Sequence, residues 1–253
     1  METSKSKTLT TDRKGSLMRE TRTGFLFLLP ALIPLTVFWI LPVLFSTALS
    51  FTKWDMISPT IRWMGFKNYT SLFRSSNFWK ILQNTFVFAL GSTIPNILMG
   101  LILALALAKA RKGAGLYRTM MFVPYITPMV AVSIVWSSLY DPNAGLFNYI
   151  RSLAGLAPLK WTGSKDTAML SVIIVTAWKS MGYTMVFYLE GINKVPQSLH
   201  DAATVDGANG WQKLWNVTLP MIAPTTFFLL IINTISSMQA YDQIKVLTNG
   251  GPM

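Results

Sequence analysis

Polar side chains inside otherwise apolar runs are the groups in this sequence that are best suited to chemistry. They comprise amides, hydroxyls, aromatic rings and one ammonium group, which can form hydrogen bonds or ring contacts with a ligand. Polar and ionisable groups within a membrane commonly serve a function, although they can also do no more than join helices by hydrogen bonds. The candidates are Trp178, Lys179 and Tyr183 in the run 167–189, and Asn233, Ser236, Ser237, Gln239 and Tyr241 in the run 214–241.

Lys179 is the most informative candidate, because a charge near the middle of an apolar run must face a cavity or a partner. It favours an anionic or highly hydroxylated ligand, or else a carboxylate on a second membrane subunit. Both interpretations stay open from the sequence.

Composition excludes several kinds of site. The chain has no Cys and a single His, His200, so disulfides, thiolate metal sites and His clusters cannot form. It also has no G-x-x-x-x-G-K-[ST] phosphate loop, so it cannot hydrolyse ATP by that route. The formal charge is +12, but the basic residues lie mostly at the ends of apolar runs, as in membrane proteins, rather than in a nucleic-acid-binding pattern.

Long charge-free runs predict an all-α membrane protein. Charged residues make up 13% of the chain, against about 25% in soluble domains. About 20 apolar residues suffice for a helix to cross the hydrocarbon core, so we predict five transmembrane helices, several of them broken by proline. Four runs lack any charged side chain and the fifth contains only Lys179; they are 23–52, 81–108, 119–140, 167–189 and 214–241.

The distribution of Lys and Arg predicts the orientation. Cytoplasmic loops are enriched in these residues, and the loop after the second run holds Lys109, Arg111, Lys112 and Arg118. We therefore expect the N-terminal arm, 1–23, and the stretch 191–217 in the cytoplasm, with 50–80 and 141–166 outside. The bias is modest, because the connection 50–80 also carries basic residues.

The stretch 195–224 predicts two short amphipathic helices at the cytoplasmic surface. Pro196 suits a first helical turn, and Gly207 suits the left-handed position that ends a helix. Residues on one face recur at spacings of three and four. They are Leu199, Ala202, Ala203 and Asp206 in the first helix, and Trp211, Leu214, Trp215 and Thr218 in the second. A partner could dock on this pair, or the pair could only seal the bundle at the membrane surface.

The segment "DAATVDGANGWQKLWNVTLP" resembles the EAA loop of the inner-membrane permease subunits of ABC importers. The family pattern is Glu-Ala-Ala, three residues, Gly, nine residues and Ile-x-Leu-Pro. Both spacings match in Asp201–Ala203, Gly207 and Val217–Pro220, with Asp201 replacing the glutamate and Val217 the isoleucine. Segments such as "RTMMFVPYITP", "IVWSSLYDPNAGLFN" and "VLTNGGP" are similar to the carbohydrate-importer branch, of the maltose and glycerol-phosphate type.

This resemblance implies a permease domain over 24–253, a polytopic helical bundle in which five of the family's usual six helices fall within the printed sequence. The loop 191–219 is expected to act as the coupling helix of the EAA type. The residues implied in contact with the ATPase are Leu199, Asp201, Ala202, Ala203, Asp206, Gly207, Leu219 and Pro220. The candidate groups on the fourth and fifth spans are implied to line the path of a sugar, oligosaccharide, polyol or sugar phosphate.

The resemblance also implies a subunit without catalysis or a bound cofactor of its own. ATP and Mg belong to a separate ATP-binding subunit dimer, and the other partners are a second homologous permease, an extracytoplasmic solute-binding protein and membrane lipid, with no nucleic acid. The location implied is the cytoplasmic membrane of a bacterium or archaeon. The alternative is an ion-coupled secondary transporter or a channel that works without an ATPase, against which stands the lack of a carboxylate well inside a span; Glu190 lies at a span's end.

Overall fold

The computed structural model describes residues 23–108 and 113–251. The arm 1–22 and the basic residues Lys109, Arg111 and Lys112, on which much of the predicted orientation depends, lie outside these residues. The chain divides into two units, Met1–Trp79 and Lys80–Met253.

The first unit contains one long helix followed by a small hairpin and a short helix. Helix α1 is Thr23–Leu49, strands β1 and β2 are Thr52–Lys53 and Arg62–Trp63, and helix α2 is Lys67–Arg74. The two strands are antiparallel, and this small sheet was not predicted from the sequence.

Helix α3, Ser76–Ala108, leads from the first unit into the second, whose described secondary structure is all helical. The following helices are α4 (Ala114–Ile126), α5 (Met129–Leu139), α6 (Leu146–Leu153), α7 (Lys165–Asn193), α8 (Gln197–Val205), α9 (Gly210–Met221), α10 (Ala223–Met238) and α11 (Asp242–Thr248).

Among the described residues, three helices are long and apolar enough to cross a membrane alone, and two bent pairs can each make one further span. The single helices are α1, α3 and α7, and the pairs are α4 with α5 and α9 with α10. This gives up to five spans, in agreement with the five predicted from the charge-free runs.

Two of the predicted spans, 119–140 and 214–241, are bent. Helices α4 and α5 meet at 96°, and α9 and α10 at 64°. At the first bend, Thr127 adopts extended backbone immediately before Pro128, as expected of a residue whose α conformation is blocked by the following proline ring.

Two π-helical turns each lie just before a proline. They span Thr36–Ile40 in α1 and Leu214–Thr218 in α9, and the prolines that follow are Pro42 and Pro220. A proline ring clashes with the carbonyl four residues earlier in an α-helix and has no N–H to donate. Widening the preceding turn relieves that clash while the chain stays helical.

Two buried apolar clusters hold the second unit together, and small residues let its helices approach closely. An added Cβ at Gly182 of α7 would lie 1.8 Å from the carbonyl oxygen of Met121 in α4, so these backbones touch. One cluster comprises Phe88, Val132, Trp136, Tyr140, Val172, Val175 and Leu247. The other comprises Ala104, Met185, Tyr188, Leu189, Val195, Ile222 and Leu229.

Candidate functional site: a polar cavity and an exposed helix pair

A polar cavity of about 350 Å³ lies in the second unit, among α3, α7, α10 and the start of α11. Ligand sites are typically clefts of about 300–1,000 Å³ with a few convergent polar groups. Six of the eight predicted path residues line it: Lys179, Asn233, Ser236, Ser237, Gln239 and Tyr241.

Helices α3, α7 and α10 each present a short polar patch to the cavity. In α7 and α10 the lining residues recur at i, i+3 and i+4, so they share one helix face. Sequence analysis missed the patch on α3 and part of that on α7, although polar residues at helical spacing in an apolar run were a usable signal. The patches are Ser92, Thr93 and Asn96 on α3, Thr176, Lys179 and Ser180 on α7, and Asn233, Ser236 and Ser237 on α10.

Lys179 donates a hydrogen bond to a backbone carbonyl in the last turn of helix α4, where the span is broken. Its Nζ donates a hydrogen bond of 2.8 Å to the carbonyl oxygen of Tyr125 and lies 5.4 Å from the centroid of that ring. The last carbonyls of a helix have no partner within the helix, and the C-terminal end attracts cations. Lys179 therefore both lines the cavity and fixes one side of the bend.

A buried hydrogen-bond network joins three spans beside the cavity. The Thr184 hydroxyl bonds to Oδ1 of Asn96, and Nδ2 of Asn233 lies 3.4 Å from the same hydroxyl oxygen. Nδ2 of Asn96 also donates to the carbonyl of Ala177. Beside this network, Oγ1 of Thr93, a residue of the lining, is buried without a hydrogen-bond partner.

Trp178 and Tyr183 do not line the cavity. Trp178 packs against Trp136, with ring centroids 5.3 Å apart, in the aromatic part of one buried cluster. Tyr183 stacks on Tyr125 at 4.6 Å and contacts Phe187. Both rings therefore pack against other aromatic rings of the second unit rather than facing the cavity.

Asp242 adds a carboxylate to the lining that the sequence analysis did not single out. It lies in the first turn of α11, just beyond the apolar run. Within the lining the formal charges of Lys179 and Asp242 cancel. Across the described parts of the chain, no group of three or more His, Cys, Asp or Glu residues could hold a metal ion.

The predicted helix pair, α8 and α9, is present and hinged at Gly207. Gly207 has φ +75°, and the N–H groups of Gly207 and Ala208 donate to the carbonyls of Thr204 and Ala203, the Schellman pattern that ends a helix. Two residues later Asn209 and Gln212 form a reciprocal capping box that starts α9.

One side-chain contact ties the two helices together. Nζ of Lys213 in α9 donates a 2.7 Å hydrogen bond to Oγ1 of Thr204 in α8. The turn and this bond both constrain the angle between the two helices.

The residues implied in ATPase contact are mostly exposed on this pair. Leu199 is 40% exposed, Asp201, Ala202, Asp206 and Gly207 are exposed, and Ala203 is half-buried. Leu219 and Pro220 instead lie in the last turn of α9, between the π-helical turn and α10. The first group therefore lies on the surface of the described part of the chain, and the second lies between the pair and helix α10.

Comparison with known proteins decides the family. Residues 96–253 match the family described as binding-protein-dependent transport system inner membrane component. The chain belongs to this family. It is a permease subunit of an ABC importer, in which ATP is hydrolysed by a separate subunit rather than by the permease. The predicted family, fold class and transport function are thus confirmed.

Relatives of this permease include importers of several solutes. The trehalose/maltose transport system permease protein MalF of Thermococcus litoralis is 32% identical over 92% of this chain and 79% of its own length. The sn-glycerol-3-phosphate transport system permease protein UgpA of Agrobacterium fabrum is 30% identical over 90% and 78%. A solved bacterial ABC transporter involved in the import of the acidic polysaccharide alginate matches with a TM-score of 0.77, at 26% identity over 93% of this chain and 80% of its own.

Proposed function

We propose that this permease carries an uncharged sugar or oligosaccharide, and that its polar cavity is part of the translocation path. The observation that carries the proposal is the lining itself. Hydroxyls and amides from α3, α7 and α10 converge on a cavity whose two charged residues, Lys179 and Asp242, balance each other. Such a lining pairs well with sugar hydroxyls, whereas a polyanion would require an excess of cations.

The helix pair α8–α9 is proposed to receive the motion of a separate ATP-binding subunit. A rigid exposed unit that continues through α9 into α10 is suited to transmit a rigid-body movement to the span that carries Asn233. The exposed carboxylate of Asp201 would pair with a basic groove, and the small side chains of Ala202 and Ala203 would permit close approach.

The assembly proposed is an ATP-binding subunit dimer, a second homologous permease and an extracytoplasmic solute-binding protein, with ATP and Mg on the ATPase. Its location is the cytoplasmic membrane, with the N-terminus and the helix pair in the cytoplasm. Because the chain has no Cys, a single cysteine introduced at Val205, which is 88% exposed, tests the orientation. An impermeant maleimide should label V205C only in inside-out vesicles.

Uptake into proteoliposomes tests the substrate and the energy source. The complex, with its binding protein on the outside, should import labelled maltose or trehalose when ATP is enclosed, and should be inactive with ion gradients alone. Uptake driven by an ion gradient without ATP would contradict the importer mechanism. Faster uptake of glycerol 3-phosphate or of an acidic oligosaccharide than of any neutral sugar would contradict the proposed substrate class.

A matched pair of substitutions tests the coupling surface. A203K places a long charged side chain on the proposed docking face, whereas V205K places it two residues further along the helix, about 200° away. We expect A203K to release the ATP-binding subunit during purification and V205K to retain it. Loss of the subunit in both variants, or in neither, would contradict the assignment of this face.

A further inference from the structure

The hairpin β1–β2 places two cations side by side. Lys53 lies directly opposite Arg62 in the antiparallel register, and directly opposed residues of two strands share a face, with Cβ atoms about 4.5–5.5 Å apart. Both residues are exposed. Like charges at such a position destabilise a hairpin, so an anion bound between them would stabilise it.

No carboxylate of the described residues supplies that anion. The one ion pair among the described residues joins Lys194 to Glu190, outside the hairpin. The nearest acid in the chain is Asp55, and its Oδ1 already accepts hydrogen bonds from the N–H groups of Ile57 and Ser58 and from the Ser58 hydroxyl. The Lys53–Arg62 pair is therefore open to an external anion.

The tip and the base of the same hairpin expose large apolar side chains. At the tip, Met56 and Ile57 are 73% and 91% exposed. At the base, Trp63 and Phe66 are also largely exposed, and both rings contact Phe51, with centroids 5.8 and 5.3 Å from it. Exposed aromatic rings beside cations are typical of segments at the membrane–water interface.

The position of the hairpin in the chain points to the same environment. Residues 50–75 connect the candidate spans α1 and α3. They carry Lys53, Arg62, Lys67 and Arg74 against Asp55 alone, a net charge of +3. External connections of membrane proteins usually contain few basic residues, so this excess on the side predicted to be external requires a local reason.

We propose that the connection 50–75 is an interfacial lipid anchor, in which Lys53 and Arg62 bind the phosphate of an anionic phospholipid and Met56 and Ile57 enter the acyl boundary. Attraction of basic residues to anionic lipids and burial of apolar side chains act together in such segments. A membrane is favoured over a soluble phosphate because the exposed apolar tip gains nothing from a soluble ion, and over a protein because the two adjoining spans already hold the connection at the membrane surface.

The absence of Cys in the chain makes a site-specific probe straightforward. I57C, labelled with a fluorescent thiol probe, is reconstituted as part of the purified transporter complex in vesicles of phosphatidylcholine with or without phosphatidylglycerol. We expect lipid-attached nitroxide to quench the probe, and phosphatidylglycerol to shield it from iodide. N143C, at an exposed residue of the other predicted external connection, is the water-exposed control.

Charge removal tests the phosphate contact. K53Q/R62Q removes the opposed pair, and K67Q/R74Q removes two charges from the same connection as a matched control. Since each basic residue near an anionic surface contributes about 1 kcal/mol, we expect loss of both in K53Q/R62Q to weaken phosphatidylglycerol binding by about thirtyfold, measured by native mass spectrometry, and K67Q/R74Q to have a smaller effect.

Several outcomes would overturn the proposal. Iodide quenching of I57C as strong as that of N143C in both kinds of vesicle would place the tip in water. Equal shielding of the probe with and without phosphatidylglycerol would contradict a phosphate site at Lys53 and Arg62. Displacement of the lipid by inorganic phosphate or glycerol 3-phosphate at comparable concentration would assign the pair to a soluble anion. Shielding that arises only when the solute-binding protein or the second permease is added would assign the hairpin to a protein partner.

Discussion

The ammonium group of Lys179 caps the carbonyl of Tyr125, at a distance of 2.8 Å, at the point where helix α4 ends and the chain turns by 96° into α5. A residue that the sequence marks as a candidate ligand group thus also has a structural partner in its own subunit. Mutating Lys179 can therefore affect both the stability of the subunit and its contact with the solute.

K179M should lower both the stability of the permease and its uptake rate. The Tyr125 carbonyl loses its donor, and hydrogen bonds between membrane helices contribute about 0.6–2 kcal/mol. K179R, which retains a donor, should recover the stability. Thermal unfolding and sugar uptake measured on both variants distinguish the roles: if K179R recovers stability but not uptake, the ammonium group also acts on the solute. Unchanged uptake and assembly in K179M would remove Lys179 from the site.

T184V should destabilise the packing of α3, α7 and α10 around the cavity. The substitution preserves the shape of a fully buried side chain but leaves the amides of Asn96 and Asn233 without the shared hydroxyl, and an orphaned buried polar group costs about 1–3 kcal/mol. T184S keeps the hydroxyl and is the control. Equal unfolding temperatures for T184V and T184S would show that the network contributes nothing.

G182A should prevent normal packing of α7 against α4. Its Cβ would meet a backbone oxygen, that of Met121, at 1.8 Å, so one of the helices would have to move. G115A is the matched control, because nothing lies within 4 Å of a Cβ at that helical position and Ala favours helix over Gly by about 1 kcal/mol. We expect little folded G182A in a size-exclusion assay and normal yield of G115A.

G207A should loosen the helix pair without a steric clash. A Cβ there meets open space, but φ is +75°, and a left-handed conformation costs a non-glycine residue about 1–2 kcal/mol. G210A, three residues away with open space and ordinary φ, should behave as the parent. ATP hydrolysis by the assembled complex, stimulated by solute-loaded binding protein, is the readout; identical stimulation in the two variants would argue against a coupling role for the turn.

The hairpin turn should lose stability in acid. Hydrogen bonds from the Ser58 hydroxyl and from the N–H groups of Ser58 and Ile57 lower the pKa of Asp55 from 3.8 to about 2. Because the folded pKa is depressed, the stabilisation is complete above 3.8 and disappears as the pH falls towards 2. The probe on I57C should report a transition in that window, and D55N should abolish it. A transition that persists in D55N would belong to other groups.

The number of spans and the hinge of the helix pair could be predicted from the sequence, because both depend on local constraints. Charge cannot enter the hydrocarbon core without a partner, and Gly207 alone of its neighbours suits a positive φ. Breaks at proline were expected, but which proline bends a span could not be predicted, since a proline within an apolar run has no single outcome. Pro95 lies inside the continuous helix α3, whereas Pro128 begins a new helix at 96° to the last.

Part of the cavity lining coincides with the path residues predicted from the sequence. Lys179 was a candidate because it is charged within an apolar run, and Ser236 because it is polar and the family resemblance implied a sugar-lining position. Ser92 and Thr93 resemble the hydroxyl residues that bond only within their own helix, as Ser92 does to the carbonyl of Phe88. Trp178 lies outside the lining although its neighbour Lys179 is part of it, because consecutive residues of a helix point about 100° apart and the packing decides which of the two faces the cavity.

The π-helical turn Leu214–Thr218 accommodates one residue more than an α-helical turn would. The surface that carries Trp211 is therefore turned by about 100° relative to the span that follows, compared with an uninterrupted helix. Loss or gain of a single residue within this turn would rotate the exposed helix about its own axis while leaving both flanking sequences intact. The number of residues in this turn thus sets the rotation of the exposed part of α9 relative to the span that follows. A substitution that keeps the chain length does not change that rotation.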